Sequence, residues 1–160
     1  VLVVSDTRTL ETDTSGQLLA DRLTAAGHEL ADRKIVKDDV ALIRETVAAW
    51  IDDPTIDAVI SSGGTGLTGR DVTPEALEPL FEKTIDGFSV IFHQVSFQSV
   101  GLSTLQSRAL AGLAKGTFIF CLPGSNGAVK DGWDKVIRFQ LDSRHKPCNL
   151  VELMPRLQET

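Results

Sequence analysis

The chain has 160 residues, of which 42% are hydrophobic and 24% are charged, a balance typical of globular proteins. This length is sufficient for one domain with a hydrophobic core, and we expect residues 1–160 to form a single domain. The net charge of -6 argues against general nucleic-acid binding, which requires a basic surface. No apolar stretch approaches the length of a membrane span, so we expect no membrane partner.

The two cysteines, Cys121 and Cys148, do not have the spacing of a metal-binding pair. Cys121 lies in an apolar run, which predicts a small core residue. This use of cysteine fits a reducing compartment, and we expect a cytoplasmic location. Val1 falls within the first predicted strand, so we also expect a segment to precede it.

Predicted strands and helices alternate along the chain. Short apolar runs predict strands at 1–5, 29–36, 56–61 and 117–122, whereas 102–116 is ambiguous between helix and strand. Apolar residues at helical spacing predict helices at about 14–26, 38–51, 74 onward, 87–100 and 128 onward, with Thr14 or Ser15 capping the first. Pro79 predicts a kink or break in the third helix. The alternation predicts an α/β fold, a three-layer sandwich with a mostly parallel central sheet flanked by helices.

A glycine loop from Ser61 to Pro74 is the most informative stretch of the sequence. It follows a predicted buried strand and precedes a helix, for which Thr73 is the candidate N-cap and Pro74 the first residue. Such a loop leaves backbone N–H groups free to bind an anion. The carboxylate of Asp71 follows the glycines directly. Together these features predict a phosphate group accompanied by a metal ion.

Other interpretations of this loop fit less well. Residues 64–69 match G-x-G-x-x-G, but the loop follows the third predicted strand, and no acidic residue stands at a strand end about 20 positions later, as a dinucleotide site requires. The Walker pattern fails because no Gly-Lys-Ser/Thr closes the loop. A glycine turn without a ligand is the remaining alternative, although clustered glycines cost backbone entropy and therefore favour a function.

Two further strand ends add candidate residues. The strand at 117–122 ends in a second small-residue loop, 123–127, and Asp38 and Asp39 follow the second predicted strand. Ligands in such sheets bind outside the carboxyl ends of the strands, so these loops predict one pocket with Asp38 and Asp71 across it. Two carboxylates with substrate phosphates suit Mg²⁺. The alternatives are acid–base hydrolysis of a glycosidic bond, or plain N-cap roles for Asp38 and Asp39.

The predicted loops contain no histidine, no nucleophile elbow and no histidine–cysteine pair. Transfer of an adenylyl group to a substrate phosphate needs none of these, because the attacking oxygen is already anionic. Positioning and charge neutralisation are then sufficient for catalysis. Arg70, Arg108 and Lys130 are candidate cations for this purpose, and each can equally be a solvated surface charge.

Several motifs resemble the MoaB/MogA family of molybdenum cofactor biosynthesis, whose domain also occurs in gephyrin-type proteins. They follow the family order over nearly the whole chain: Asp13-Thr14-Ser15-Gly16, Ser62-Gly63-Gly64-Thr65-Gly66, Arg70-Asp71-Val72-Thr73-Pro74-Glu75-Ala76, Ser103-Thr104-Leu105-Gln106-Ser107-Arg108-Ala109 and Leu122-Pro123-Gly124-Ser125. The stretch 103–109 and the tail 146–149 resemble the MoaB branch more closely than MogA.

The resemblance implies the molybdopterin-binding domain fold and assembly into homotrimers or homohexamers. It also implies Mg²⁺- and ATP-dependent adenylylation of molybdopterin to adenylyl-molybdopterin and pyrophosphate, with Asp38 and Asp71 as catalytic and Mg²⁺-binding residues. The substrate- and phosphate-binding residues would be Ser62, Gly63, Gly64, Thr65, Gly66, Ser107, Arg108, Pro123, Gly124 and Ser125. The alternative is a non-catalytic molybdopterin-binding carrier or assembly partner in the same pathway.

Overall fold

A six-stranded mixed sheet forms the centre of the computed structural model, which describes residues 1–159. Its strand order is β2-β1-β3-β6-β5-β4, parallel from β2 to β6 and antiparallel at β5 and β4. The strands are β1 (Leu2–Val4), β2 (Lys34–Val36), β3 (Ala58–Ser62), β4 (Lys83–Thr84), β5 (Leu110–Ala114) and β6 (Thr117–Leu122). The predicted α/β sandwich with a mostly parallel sheet is confirmed.

Helices cover both faces of this sheet. They are α1 (Thr14–Ala25), α2 (Val40–Ile51), α3 (Thr73–Leu77), α4 (Asp86–Val100), α5 (Asn126–Gly132) and α6 (Arg138–Gln140), with a π-helical turn at Trp133–Ile137 and 3₁₀ helices at Glu78–Leu80, Gly101–Gln106 and Val151–Arg156. No helix within residues 1–159 combines the length and apolarity needed to cross a membrane.

The central strand β6 divides the core into two halves. Phe118, Phe120 and Leu122 pack with α1, α4 and α5 on one face, whereas Ile119 and Cys121 pack with α2 and α3 on the other. Successive strand side chains point to opposite faces, so a strand buried on both sides is a continuous apolar run. Cys121 is a core residue, as predicted, and burial raises the pKa of its thiol to about 12.

Several element boundaries differ from those predicted. The second strand covers only Lys34–Val36 rather than 29–36, because the preceding segment turns to place Asp32 against the indole N–H of Trp50, 3.0 Å away. The ambiguous segment 102–116 divides into a 3₁₀ helix and β5. Pro79 does break the third helix, since α3 ends at Leu77 and a 3₁₀ turn follows.

Helix N-caps account for the other differences. Asp13, rather than Thr14 or Ser15, caps α1 by accepting the N–H of Gly16 at 2.9 Å. Asp39 caps α2 by accepting the N–H of Leu42 at 2.9 Å. Asp38 precedes this cap, so its carboxylate is free for another role.

Candidate functional site

The loops after β3 and β6 lie side by side at the carboxyl edge of the sheet. The N–H of Gly63 donates to the carbonyl of Leu122 at 3.0 Å, and the hydroxyl of Ser62 donates to the carbonyl of Pro123 at 3.4 Å. A Cβ added to Gly124 would lie only 3.0 Å from the Cα of Gly63. The structure therefore brings the two predicted binding loops, 62–66 and 123–125, into direct contact.

Gly63 is the residue at which the first loop leaves the sheet. Its φ is +106°, a region that favours glycine, and any Cβ there would lie 2.2 Å from the carbonyl oxygen of Val4. The chain thus passes directly over the end of β1. Only a residue without a side chain can make this passage.

The start of α3 holds the same loop from the other side. The hydroxyl of Thr73 donates to the carbonyl of Gly63 at 2.9 Å, and its N–H donates to the carbonyl of Gly64 at 2.9 Å. Thr73 was predicted as the N-cap of α3, which is wrong: the N-cap position is Val72, and Thr73 is the first helical residue. The Thr73 hydroxyl bonds to the carbonyl of Gly63 instead of capping the helix, because this bond satisfies a buried carbonyl.

Arg108 connects three parts of the loop that are distant in sequence. Its Nε donates to the carbonyl of Gly66 at 2.8 Å and its Nη2 to the carbonyl of Asp71 at 2.8 Å, while its Nη1 pairs with Glu75. Its backbone N–H donates to the carbonyl of Thr65 at 2.8 Å. The Arg108 guanidinium in turn lowers the pKa of Glu75. In this arrangement Arg108 positions the loop, and its substrate-binding role stays a prediction.

The preceding residue, Ser107, is fixed to its surroundings by both backbone and side chain. Its carbonyl lies 3.0 Å from Nε2 of His93 on α4, and its hydroxyl accepts the N–H of Ala109 at 3.2 Å. His93 therefore helps to anchor the segment that carries Arg108. No motif in the sequence pointed to this contact between α4 and the loop.

Asp71 faces the glycine loop with a carboxylate that is held in its charged form. Its Oδ2 accepts both the hydroxyl of Thr68 at 2.6 Å and the N–H of Thr68 at 2.9 Å. The Thr68 hydroxyl, then backbone N–H groups and Arg108, lower the pKa of Asp71 despite partial burial. The same Oδ2 lies 2.7 Å from the position that a Cβ on Gly66 would take. Gly66 thus provides the space for this carboxylate.

Asp38 approaches the loop at the neighbouring glycine. Its Oδ1 lies 3.2 Å from the position of a Cβ on Gly64. Burial raises the pKa of Asp38, and the nearby carboxylates of Asp6 and Asp71 raise it further against the opposing charge of Arg70. Its environment therefore disfavours the charged form, the opposite of the situation at Asp71.

Asp6, which the sequence analysis did not single out, completes this group. It forms an ion pair with Arg70, and its Oδ1 accepts the N–H of Asp38 at 3.3 Å. Arg70 lowers the pKa of Asp6. The carboxylates of Asp6, Asp38 and Asp71 thus lie close to the glycine loop, together with the guanidinium groups of Arg70 and Arg108. Sequence could have suggested Asp6 only by its place at the carboxyl end of β1.

The donor set at this site suits a cation that retains other ligands. Within residues 1–159, no cluster of three or more His, Cys, Asp or Glu side chains is arranged to hold a metal. Asp38 and Asp71 would therefore supply two carboxylates, and phosphate oxygens and water the rest. Mg²⁺ binds in this way, through one or two carboxylates and substrate phosphates.

The second loop is more exposed than the first. The hydroxyl of Ser125 accepts the N–H of Ala128 at 3.1 Å and so caps α5. The N–H of Ser125 donates to the carbonyl of Pro123 at 3.0 Å, and Gly124 and Ser125 are exposed. Lys130 projects from α5 as an exposed residue, and Arg70 is engaged with Asp6.

The sequence is similar to those of proteins in a known family. Residues 1–143 match the model of a molybdenum cofactor biosynthesis family described as "Probable molybdopterin binding domain". The chain belongs to this molybdenum cofactor biosynthesis family. It is 48% identical over 149 residues to molybdenum cofactor biosynthesis protein B of Escherichia coli K12, covering 93% of this chain and 88% of that protein.

Solved structures agree with the family assignment and with the predicted branch. A crystal structure of a molybdenum cofactor biosynthesis protein B has a TM-score of 0.85 and 43% identity, over 88% of each chain. A MogA structure has a TM-score of 0.76 and 29% identity, over 84% of this chain and 91% of that one. The fold is therefore that of the MoaB/MogA family, and the protein has a role in molybdenum cofactor biosynthesis.

The tight passage at Gly63 gives a first prediction. Gly63→Ala should lower the free energy of unfolding by about 2–5 kcal/mol, because it combines an unfavourable φ with a clash against the Val4 carbonyl. Gly69→Ala in the same loop is the matched control, since no atom lies within 4 Å of its added Cβ. We expect it to change stability by no more than about 0.5 kcal/mol. Urea unfolding measures both, and equal stabilities would contradict the geometry.

The electrostatics at Asp38 give a second prediction. Because the folded pKa of Asp38 is raised, wild-type stability from this group is present below the unfolded value of about 3.9 and is lost as pH rises through the folded pKa. Asp38→Asn should therefore be more stable than wild type at pH 7, by less than about 1 kcal/mol after solvent screening. This gain should shrink towards pH 4.

The control for that prediction is Asp39→Asn, which keeps an N-cap of similar quality on α2. It should show no comparable gain at pH 7. Urea unfolding, monitored by tryptophan fluorescence at pH 7 and at pH 4, measures the stability of the wild type and of both variants. An Asp38→Asn gain that is independent of pH would mean that the neighbouring carboxylates do not destabilise the charged form.

Proposed function

We propose that this protein catalyses the Mg²⁺- and ATP-dependent adenylylation of molybdopterin, giving adenylyl-molybdopterin and pyrophosphate. The observation that carries the proposal is the pair of carboxylates, Asp38 and Asp71, placed against two glycines of one phosphate-type loop. Family membership supplies the class of substrate.

The proposed reaction needs no nucleophile from the protein. A phosphate oxygen of molybdopterin attacks the α-phosphorus of ATP, a new P–O bond forms, and the bond to the β-phosphate breaks with release of pyrophosphate. The attacking oxygen is anionic at neutral pH, so no general base is required. The protein contributes orientation and neutralisation of phosphate charge.

Backbone groups of the glycine loop are suited to hold a phosphate. Among residues 1–159, the N–H groups of Gly64 and Thr65 donate to no other protein atom, whereas the carbonyls around them are held by Thr73 and Arg108. The loop is therefore fixed in shape with two donors unused. Fixed donors stabilise developing charge without reorganisation.

Asp38 and Asp71 would hold Mg²⁺, which when bound would neutralise charge on the phosphates. The raised pKa of Asp38 fits this role, since a cation relieves the repulsion among Asp6, Asp38 and Asp71. Asp71 is ready as an anion because Thr68 holds its Oδ2. The two carboxylates therefore differ before Mg²⁺ binds. Asp71 is already stabilised in its charged form, whereas the charged form of Asp38 would be stabilised only by the bound cation.

The alternative is a carrier or assembly partner that binds molybdopterin without turnover. This function would require the glycine loop but neither aspartate. A pterin phosphate would still bind the loop N–H groups. This alternative predicts binding of molybdopterin with little dependence on ATP.

Pyrophosphate release with molybdopterin, ATP and Mg²⁺ separates the two functions. We expect release to require both substrates and to fall by about 100-fold or more in Asp71→Asn, which removes a carboxylate without creating a cavity. Asp57→Asn, an exposed residue at the opposite end of β3, is the control and should retain wild-type release. Wild-type turnover by Asp71→Asn would refute the role of Asp71. No release by the unmodified protein, with molybdopterin bound, would establish the carrier.

We also propose that the protein forms homotrimers or homohexamers. Large apolar side chains are exposed along α4 and the 3₁₀ helix that follows it: Val90, Phe97, Val100, Leu102 and Leu105. An exposed apolar surface of this kind is typical of a protein interface. Light scattering should give three or six times the mass of one chain, and Leu102→Glu/Leu105→Glu should lower that mass. A monomeric wild-type protein would refute the proposal.

A further inference from the structure

A basic groove of about 480 Å³ runs along β2, which is an edge strand of the sheet. Its lining contains one acidic residue, Asp6, and four basic residues, Arg8, Arg33, Lys34 and Lys37. Two of these cations are already paired with carboxylates outside the groove, Arg33 with Asp13 and Lys34 with Asp32. Within residues 1–159, Arg8 and Lys37 form no ion pair, so they provide the unpaired positive charge of the groove in a chain whose net charge is -6.

The backbone of β2 is open along this groove. The N–H of Lys34 donates to the carbonyl of Val1 at 3.0 Å, and the carbonyl of Val36 accepts the N–H of Ser5 at 2.9 Å. These bonds direct Lys34 and Val36 towards β1. In a parallel ladder the residue between them, Ile35, directs its N–H and carbonyl to the opposite side. That side has no partner strand, because β2 ends the sheet.

Arg33, which lines the groove, has one buried donor without a partner. Its Nη2 pairs with the buried carboxylate of Asp13 at 2.7 Å, which fixes the guanidinium in place. Its Nε is buried and has no hydrogen-bond partner in the structure. Buried donors without a partner are rare in folded proteins.

We propose that the open edge of β2 binds an extended acidic segment of another protein, which adds to the sheet as a strand. The peptide backbone would pair with the N–H and carbonyl of Ile35, and acidic side chains would meet Arg8 and Lys37. Binding of this kind takes its affinity from main-chain hydrogen bonds and its specificity from alternate side chains. The apolar side chain of Leu10 in the groove suits alternation of acidic and β-branched residues in the partner.

The charge of the groove favours an acidic peptide over a second copy of this chain, and the open backbone of Ile35 favours it over a nucleic acid. A second copy of the chain would bring the same cations against one another across paired β2 edges, which is unfavourable. A nucleic acid satisfies the cations but has no backbone that pairs with Ile35, and the chain's net charge of -6 repels a long polyanion. A short acidic peptide satisfies both features.

The groove adjoins the candidate site through Asp6. This residue lines the groove, pairs with Arg70 and accepts the N–H of Asp38. A partner bound along β2 would therefore lie beside the Asp6–Arg70 ion pair. This inference stands independently of the adenylylation proposal, because binding at β2 requires no turnover.

Fluorescence anisotropy with a labelled 12-residue peptide of alternating Glu and Val tests the proposal on the purified protein. We expect binding that weakens with salt, and Arg8→Glu/Lys37→Glu to weaken it by about tenfold or more through loss of two exposed charge pairs. Lys83→Glu is the matched control, because Lys83 occupies β4, the other edge of the same sheet. It should leave binding unchanged.

A peptide of the same sequence with alternate N-methylated amides separates strand addition from simple charge attraction. It should bind at least about tenfold more weakly than the unmethylated peptide, since it cannot complete the ladder. Equal binding of the two peptides, or tighter binding of a 12-nucleotide RNA, would overturn the proposal in favour of a general anion surface. Absence of binding by the Glu-Val peptide at low salt would overturn it outright.

Discussion

The pairing of β3 with β6 is the contact on which the candidate site depends. Ser62 is aligned with Leu122 in the ladder, so the two loops leave the sheet at the same level. The N–H of Gly63 then donates to the carbonyl of Leu122, which joins the first loop to the end of β6. A slip of one residue would turn every side chain of β6 to the wrong face, and both halves of the core would lose their packing. The burial of β6 therefore fixes the register, and the register fixes the relative positions of the two loops. In this way the hydrophobic core determines the position of the loop that is proposed to bind a phosphate.

Around that fixed loop, the charged residues are arranged for function at some cost to stability. Asp71 has its charge supported by Thr68, whereas the charge on Asp38 is opposed by burial and by the carboxylates of Asp6 and Asp71. Like charges at close range favour unfolding, and a protein selected for stability alone has no reason to collect them at one edge of a sheet. Under the proposed function, a bound cation would relieve this repulsion. This difference between two aspartates explains how a site can be preformed for one ligand and still respond to another.

Features that depend on local pattern were predictable from sequence. The apolar run 117–122 is β6 to the residue, the glycine loop lies after β3, and Pro79 breaks the third helix. Side-chain contacts between residues distant in sequence were not. Arg108 is 42 residues from Gly66, and its role in positioning the loop arises only when β6 pairs with both β3 and β5 in the sheet. Thr73 is a residue type that often caps helices, but its hydroxyl donates to the buried carbonyl of Gly63 instead. The strand β4 has two exposed residues that pair only with β5, so no periodicity marks it.

Charge is separated over a short distance on this edge of the molecule, and the Asp6–Arg70 pair lies between the two regions. On one side are Asp38, Asp71 and the glycine loop, where a phosphate can approach only if the loop N–H groups and a cation offset the carboxylates. On the other side is the basic edge of β2. If both proposals hold, an acidic segment would be attracted to the second region and repelled by the first, so a bound partner and a phosphate substrate would occupy different surfaces. Asp6 lines the groove and pairs with Arg70, so this ion pair marks the boundary between the two surfaces.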